Sequence, residues 1–181
     1  MTNFFLQPDN VAWLLFSFKG RTNRTQFWVS HAYMFVLFFI LLFGPLMLSD
    51  WLDPNYDNGI SGVIDIAAMT LIILFYLFIP AAVWTKRLHD LGLPGSTAFV
   101  TFYLPGIMVR LGNNLLAGTA VGTTVSIFGA VAGLACLFFC GMRSGEPEPN
   151  EYGVSGDPDG ALAPVQDRLI GSGNRVPPPE S

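Results

Sequence analysis

Residues 86–96, KRLHDLGLPGS, gather the groups in this sequence best suited to acid–base or ion-pair chemistry. His89 is the side chain able to change charge near neutral pH, and Asp90 beside it is a carboxylate. Arg87 and Asp90 are three apart, the spacing that pairs opposite charges on a last helical turn, and Gly92, Pro94 and Gly95 then turn the chain. A second cluster, FKGRTNRTQFW at residues 18–28, sets Lys19, Arg21 and Arg24 just ahead of Phe27 and Trp28. Cations in that position suit phosphate, a carboxylate or an anionic membrane surface. Adjacent residues on a helix do not face each other, so His89 and Asp90 do not form an acid–base couple. No nucleophile, second carboxylate pair or phosphate-cradling glycine loop accompanies them, so the expectation is a chain that is not an enzyme and carries no cofactor. Cys136 and Cys140, four apart in an apolar run, share a helix face where they cannot be bridged. With the histidines elsewhere in sequence, packing is expected of them rather than metal binding.

The elements that position these groups are set by composition. Of the 181 residues, 51% are hydrophobic and only 12% charged, about half the charged share of a soluble domain. Lipid is the implied solvent. Residues 27–48 carry no charge and, as a helix, reach about 33 Å, enough for a hydrocarbon core of about 30 Å. Residues 66–84 and 121–142 read the same way, with Asp65 at the start of the second span. Gly129 and Gly133, four apart, have the spacing that lets two helix backbones approach. The run 96–109 is short and holds Pro105, but Arg110 can snorkel and residues 111–116 can extend it, so a fourth span is expected. The fold class expected is an all-α bundle of four transmembrane helices preceded by a short interfacial helix. Val11, Leu14, Leu15 and Phe18 fall on one face of that helix, with Asp9 or Asn10 as its cap and Gly20 as its stop. Asn23 and Gln26 fit a capping box at the head of the first span.

Charge then orients the bundle. Lys19, Arg21 and Arg24 precede the first span, and Lys86 and Arg87 follow the second. The loop between them, SDWLDPNYDNG, has three aspartates and no cation. Short loops rich in Lys and Arg stay in the cytoplasm, so the N-terminus, the Lys86 loop and the C-terminus are expected inside. Three regions follow: a cytoplasmic segment 1–22 with the interfacial helix, a transmembrane domain 23–143, and a tail 144–181. That tail is rich in Gly, Pro and acids, has few large apolar groups, and is expected to stay unfolded and solvated.

GRTNRTQFW together with KRLHDLGLPG resembles the bacterial membrane-protein family of unknown function DUF805. Its members share a GRxxRxxFW motif, an RRLHDxGxSG loop and an N-x-(Tyr/Phe)-G segment after the last helix. The positions that match are Gly20, Arg21, Arg24, Phe27 and Trp28, then Arg87, Leu88, His89, Asp90, Gly92 and Gly95, then Asn150, Tyr152 and Gly153. Lys86 stands where the family often has arginine. The resemblance implies an integral protein of the bacterial inner membrane and brings no established reaction.

These residues are expected to meet at the cytoplasmic face, with Arg24 and Asp90 as a salt-bridged pair among Arg21, Arg87, Asn150 and Tyr152. The function expected is non-catalytic, through a protein partner in the membrane or anionic lipids. A small transporter or channel is the alternative, although the spans hold almost no ionisable group besides His31. The basic patch is small and abuts the membrane, which argues against nucleic acid. Oligomeric state is not written in the sequence.

Overall fold

In the computed structural model, which describes residues 5, 7–52, 59–147 and 150–156, the charge-free runs become long helices. Helix α1 is Pro8–Phe16, α2 is Arg24–Leu52, α3 is Ile60–Asp90, α4 is Leu104–Arg110 and α5 is Ala120–Met142. Of these, α2, α3 and α5 are long and apolar enough to cross a membrane. In hydrocarbon every backbone polar group must be satisfied within its own segment, which an unbroken helix achieves. The helices also outrun the apolar stretches: α2 has 29 residues and α3 has 31. Asp65 consequently lies inside α3, not at its start, because the helix already begins at Ile60.

The segment expected to form the third span takes a different form from a plain helix. A 3-10 turn at Gly95–Thr97, a π turn at Phe99–Tyr103, α4, and a second π turn at Leu111–Leu115 join into one bent helix over residues 95–115. Pro105 supplies a cause. It has no N–H to return to the preceding turn, and its ring crowds the carbonyl four residues back, so the turn before it widens.

Local signals set the helix starts. At α2, the Asn23 side chain accepts from the Gln26 N–H at 2.9 Å while Gln26 accepts from the Asn23 N–H at 3.0 Å, the reciprocal capping box expected there. At α5, the Thr119 hydroxyl accepts from the Gly122 N–H at 3.0 Å. Helix α1 starts with Pro8 in its first turn rather than with a side-chain cap from Asp9 or Asn10, and it ends at Phe16, before Gly20.

Helix α2 packs along α3, and the bent helix packs along α5. The second pairing depends on a seam of small residues. A Cβ on Gly122 would lie 2.0 Å from the Leu116 carbonyl oxygen, and one on Gly129 would lie 2.7 Å from that of Pro105. Gly133 faces the Pro105 ring, and Ser126 donates to the Asn113 side chain at 2.8 Å. Lipid tails are as apolar as leucine, so close backbone approach rather than hydrophobicity drives such contacts.

The core lies toward the end where α1 meets α3. Leu15, Phe27, Ile79, Val83, Trp84, Leu88 and Cys140 pack there, with Val11 against them. Farther from that end the outward faces carry large apolar groups, with Phe35 65% exposed, Ile66 71% and Met47 73%. Patches of that kind are abnormal in water and ordinary in lipid.

Gly129→Leu should destabilise the protein by roughly 1–3 kcal/mol, because the new side chain meets backbone atoms of the bent helix. Thermal unfolding in detergent measures this, and Gly133→Ala should cost less, its Cβ lying 3.3 Å from the Pro105 Cβ.

Candidate functional site

Asp90, at the last residue of α3, accepts from two arginines. Arg21 donates to one carboxylate oxygen through Nε at 3.2 Å and Nη2 at 3.1 Å, and Arg87 donates to the other at 2.5 Å. All three side chains are buried, none more than 1% exposed. Both oxygens of Asp90 are therefore occupied by guanidinium donors.

The two arginines continue into backbone. Arg21 donates to the carbonyls of Gly153 at 3.0 Å and Glu146 at 2.6 Å, and Arg87 donates to Thr22 at 3.2 Å, Cys140 at 2.6 Å and Arg143. Two of these carbonyls, Cys140 and Arg143, belong to the end of α5. An α-helix leaves its last four C=O groups without internal partners, and they carry the negative end of the helix dipole. Each carbonyl from Phe139 to Arg143 receives a donor: the Arg143 N–H on Phe139, Arg87 on Cys140, Trp28 Nε1 on Gly141 at 3.1 Å, Arg24 on Met142 at 3.5 Å, and Arg87 again on Arg143. Arg24 and Trp28, one turn apart on α2, thus close the end of α5.

Lys86 performs the same service for α1. Buried, it donates from Nζ to the carbonyls of Trp13 at 2.9 Å, Leu14 at 3.0 Å and Ser17, and its ammonium lies 5.3 Å from the Trp13 ring centroid. The sequence marks Lys86 as a cation that sets orientation. That it caps α1 depends on the packing of α1 against α3, which no local pattern encodes. Helix α3 is closed by backbone and amide donors: Thr22 N–H on the Lys86 carbonyl at 3.2 Å, Asn150 Nδ2 on His89 at 3.0 Å, and Glu146 N–H on Asp90 at 2.8 Å.

His89 donates from Nδ1 to the Gly20 carbonyl at 3.2 Å. Its ring stacks on Tyr152 with centroids 3.7 Å apart and planes 1° from parallel. A side-chain hydrogen bond with Glu151 pushes the Tyr152 phenol above its ordinary pKa. Asn150 turns the chain at this point, its carbonyl accepting from the Gly153 N–H at 3.0 Å and its side chain from the Tyr152 N–H at 3.0 Å. Gly20 and Gly153 hold φ of 91° and 112°, values suited to glycine.

Two sequence expectations are corrected. Arg24 does not pair with Asp90: its side chain is exposed at the end of α5, while Arg21 and Arg87 take the carboxylate. The helix begins at Arg24, and only the non-helical residue Arg21 can bend back under α3. Nor is the whole of 144–181 an unfolded tail. Residues 144–147 and 150–156 fold back onto the helix ends, with the Gly156 N–H donating to the Arg21 carbonyl and Gln26 donating to the Gly156 carbonyl. Residues 148–149 and 157–181 lie outside the described residues. Phe27 is fully buried against Trp84, with ring centroids 5.6 Å apart, and belongs to the core. Gly145 is a site residue that sequence reasoning misses: a Cβ there would come within 2.0 Å of the Asp90 carboxylate, and its φ gives no sign of that constraint.

Three long apolar helices, a lipid-compatible exterior and one polar end define a multi-pass helical membrane protein. Residues 15–154 match the family described as a protein of unknown function, DUF805, and the chain belongs to that family. It is also similar to the uncharacterized protein YiiR of Escherichia coli K12 and of Escherichia coli O157:H7. Each is 35% identical over 86 residues, which cover 48% of this chain and 49% of the relative. The chain therefore matches about half the length of those curated relatives. No solved structure matches it.

Asp90→Asn should destabilise the protein by about 3–5 kcal/mol, because two buried guanidinium groups lose their counter-charge. Arg24→Ala should shift the unfolding midpoint far less, since Arg24 is exposed and contributes one long hydrogen bond. Thermal melts in detergent compare the two, and equal losses would remove Asp90 from the centre of the network.

Proposed function

We propose that this is a non-catalytic, four-span protein of the bacterial inner membrane, with N- and C-termini cytoplasmic, that gathers anionic phospholipid headgroups at its cytoplasmic face. The observation that supports it is a division among the cations at one end of the molecule. Arg21, Lys86 and Arg87 are buried and occupied by internal acceptors, whereas Lys19, Arg24 and Arg143 are exposed around them. Exposed cations close to hydrocarbon attract anionic lipids at about 1 kcal/mol each. Exposed Phe16, Phe18 and Trp28 lie beside them in sequence and suit the headgroup boundary. The buried cluster then acts as the rigid base that holds this rim in place. The non-catalytic reading is supported by the same division, because Asp90, the carboxylate beside His89, has both oxygens bound.

Orientation and lipid capture are tested separately. In a background without Cys136 and Cys140, Ser144→Cys should react with a membrane-impermeant thiol reagent only after permeabilisation, and Ala117→Cys in intact spheroplasts. The reverse pattern would overturn this reading, through either an inverted topology or a bent helix that does not cross, and labelling of both from outside would remove α5 as a span. For lipid capture, protein is released from native-lipid discs into a mass spectrometer. Wild type should retain phosphatidylglycerol or cardiolipin, and the combined Lys19→Ala, Arg24→Ala, Arg143→Ala variant should lose most of it. Unchanged retention in a folded triple variant would overturn the lipid reading, and retention of a protein in its place would favour a membrane partner.

A further inference from the structure

A second lipid site, at the opposite end of the bundle, emerges from the space between the two helix pairs. The α2–α3 pair and the bent helix–α5 pair join mainly through the core near α1, and away from it they leave a groove of about 770 Å³. That volume lies within the range of about 300–1,000 Å³ usual for small-molecule sites. Ile73 and Leu77 of α3, Phe38 of α2, and Tyr103 and Ile107 of the bent helix line it. The Tyr103 hydroxyl is already bonded to the Leu77 carbonyl, so the wall it forms is apolar. Between Phe102 and Arg110, both at the groove, the helix rises about 12 Å. The π turn before Pro105 and the bare backbone at Gly106 keep the groove open, and a Cβ on Gly106 would meet nothing within 4 Å.

Arg110 also lines this groove, toward its far end. It is exposed, and among the described residues it has no ion pair within 4.0 Å. It is also the one cation among the described residues that lies away from the end holding Asp90. An arginine at this depth extends its guanidinium toward the headgroups while its stem lies along apolar surface. Its planar fork matches the oxygens of a phosphodiester.

We propose that this groove binds one diacyl phospholipid, its phosphate on Arg110 and an acyl chain between α3 and the bent helix. Charge complementarity selects the head and the apolar walls select the chain. The site lies in the leaflet opposite the rim of Lys19, Arg24 and Arg143, and it stands whichever way the protein is oriented. It closes the opening that the bent helix leaves in the bundle, so lipid here completes the packing.

The test is native mass spectrometry of the full chain in discs of phosphatidylglycerol, with lipid removed by stepwise activation. Wild type should keep one phosphatidylglycerol that survives in the Lys19, Arg24, Arg143 triple variant, which separates this site from the rim. Arg110→Ala and Gly106→Leu should each lower the fraction holding that lipid at least tenfold, and Arg110→Lys should fall between. Leu77→Trp narrows the groove from the facing wall and should act like Gly106→Leu. Circular dichroism and thermal melts confirm that each variant is folded. Retention unchanged in Arg110→Ala would overturn the phosphate contact. Retention unchanged in both Gly106→Leu and Leu77→Trp would overturn the groove, and loss in the rim variant alone would assign the lipid to the other leaflet.

Discussion

Three helices end at the same place. The C-termini of α1, α3 and α5 converge at one end of the bundle, where water has little access, and each brings carbonyl groups that its own helix cannot satisfy. The negative ends of their dipoles also concentrate partial charge there. This explains how three buried cations, Arg21, Lys86 and Arg87, coexist with a single buried carboxylate, Asp90. The surplus positive charge faces carbonyl oxygens, and the positive groups in turn supply the donors those oxygens need. Neither set could be buried alone without a large desolvation cost.

The same constraint gives the two motifs a physical reading. In the first, Arg21 reaches Asp90, Arg24 and Trp28 close α5, Phe27 fills the core, and Gly20 makes a turn only glycine makes easily. In the second, Lys86 closes α1, Arg87 closes α5, and Asp90 balances both arginines. The third segment, around Asn150 and Tyr152, covers the end of α3 and the face of His89. What looks in sequence like three scattered polar signatures is one capping lattice.

The long helices were legible because charge-free runs of that length have few other solutions, and the capping box and the α5 glycines were legible because they are local patterns. The Arg87–Asp90 pair followed from its three-residue spacing. The choice of arginine for Asp90 was not legible. Arg21 and Arg24 are both near the start of α2, and the difference between them is set by which residue lies outside the helix and can fold back. Lys86 and Gly145 were hidden for a related reason: their roles are defined by atoms of α1 and Asp90 that are distant in sequence. The groove beside α4 depends on a π turn, a departure from helix geometry that apolar periodicity does not register.

Arg21 binds the carbonyl of Gly153 across a separation of 132 residues. During synthesis Arg21 emerges early, whereas its partners at Glu146 and Gly153 emerge only after α5. Until then Arg21 and Arg87 can pair with Asp90 but lack the carbonyl acceptors that α5 and the segment after it supply. The order of synthesis therefore delays completion of this network until α5 and the segment that follows it have emerged. A chain that stalls before α5 lacks the carbonyls of Cys140, Glu146 and Gly153 on which these two guanidinium groups rest, so its polar end is incomplete.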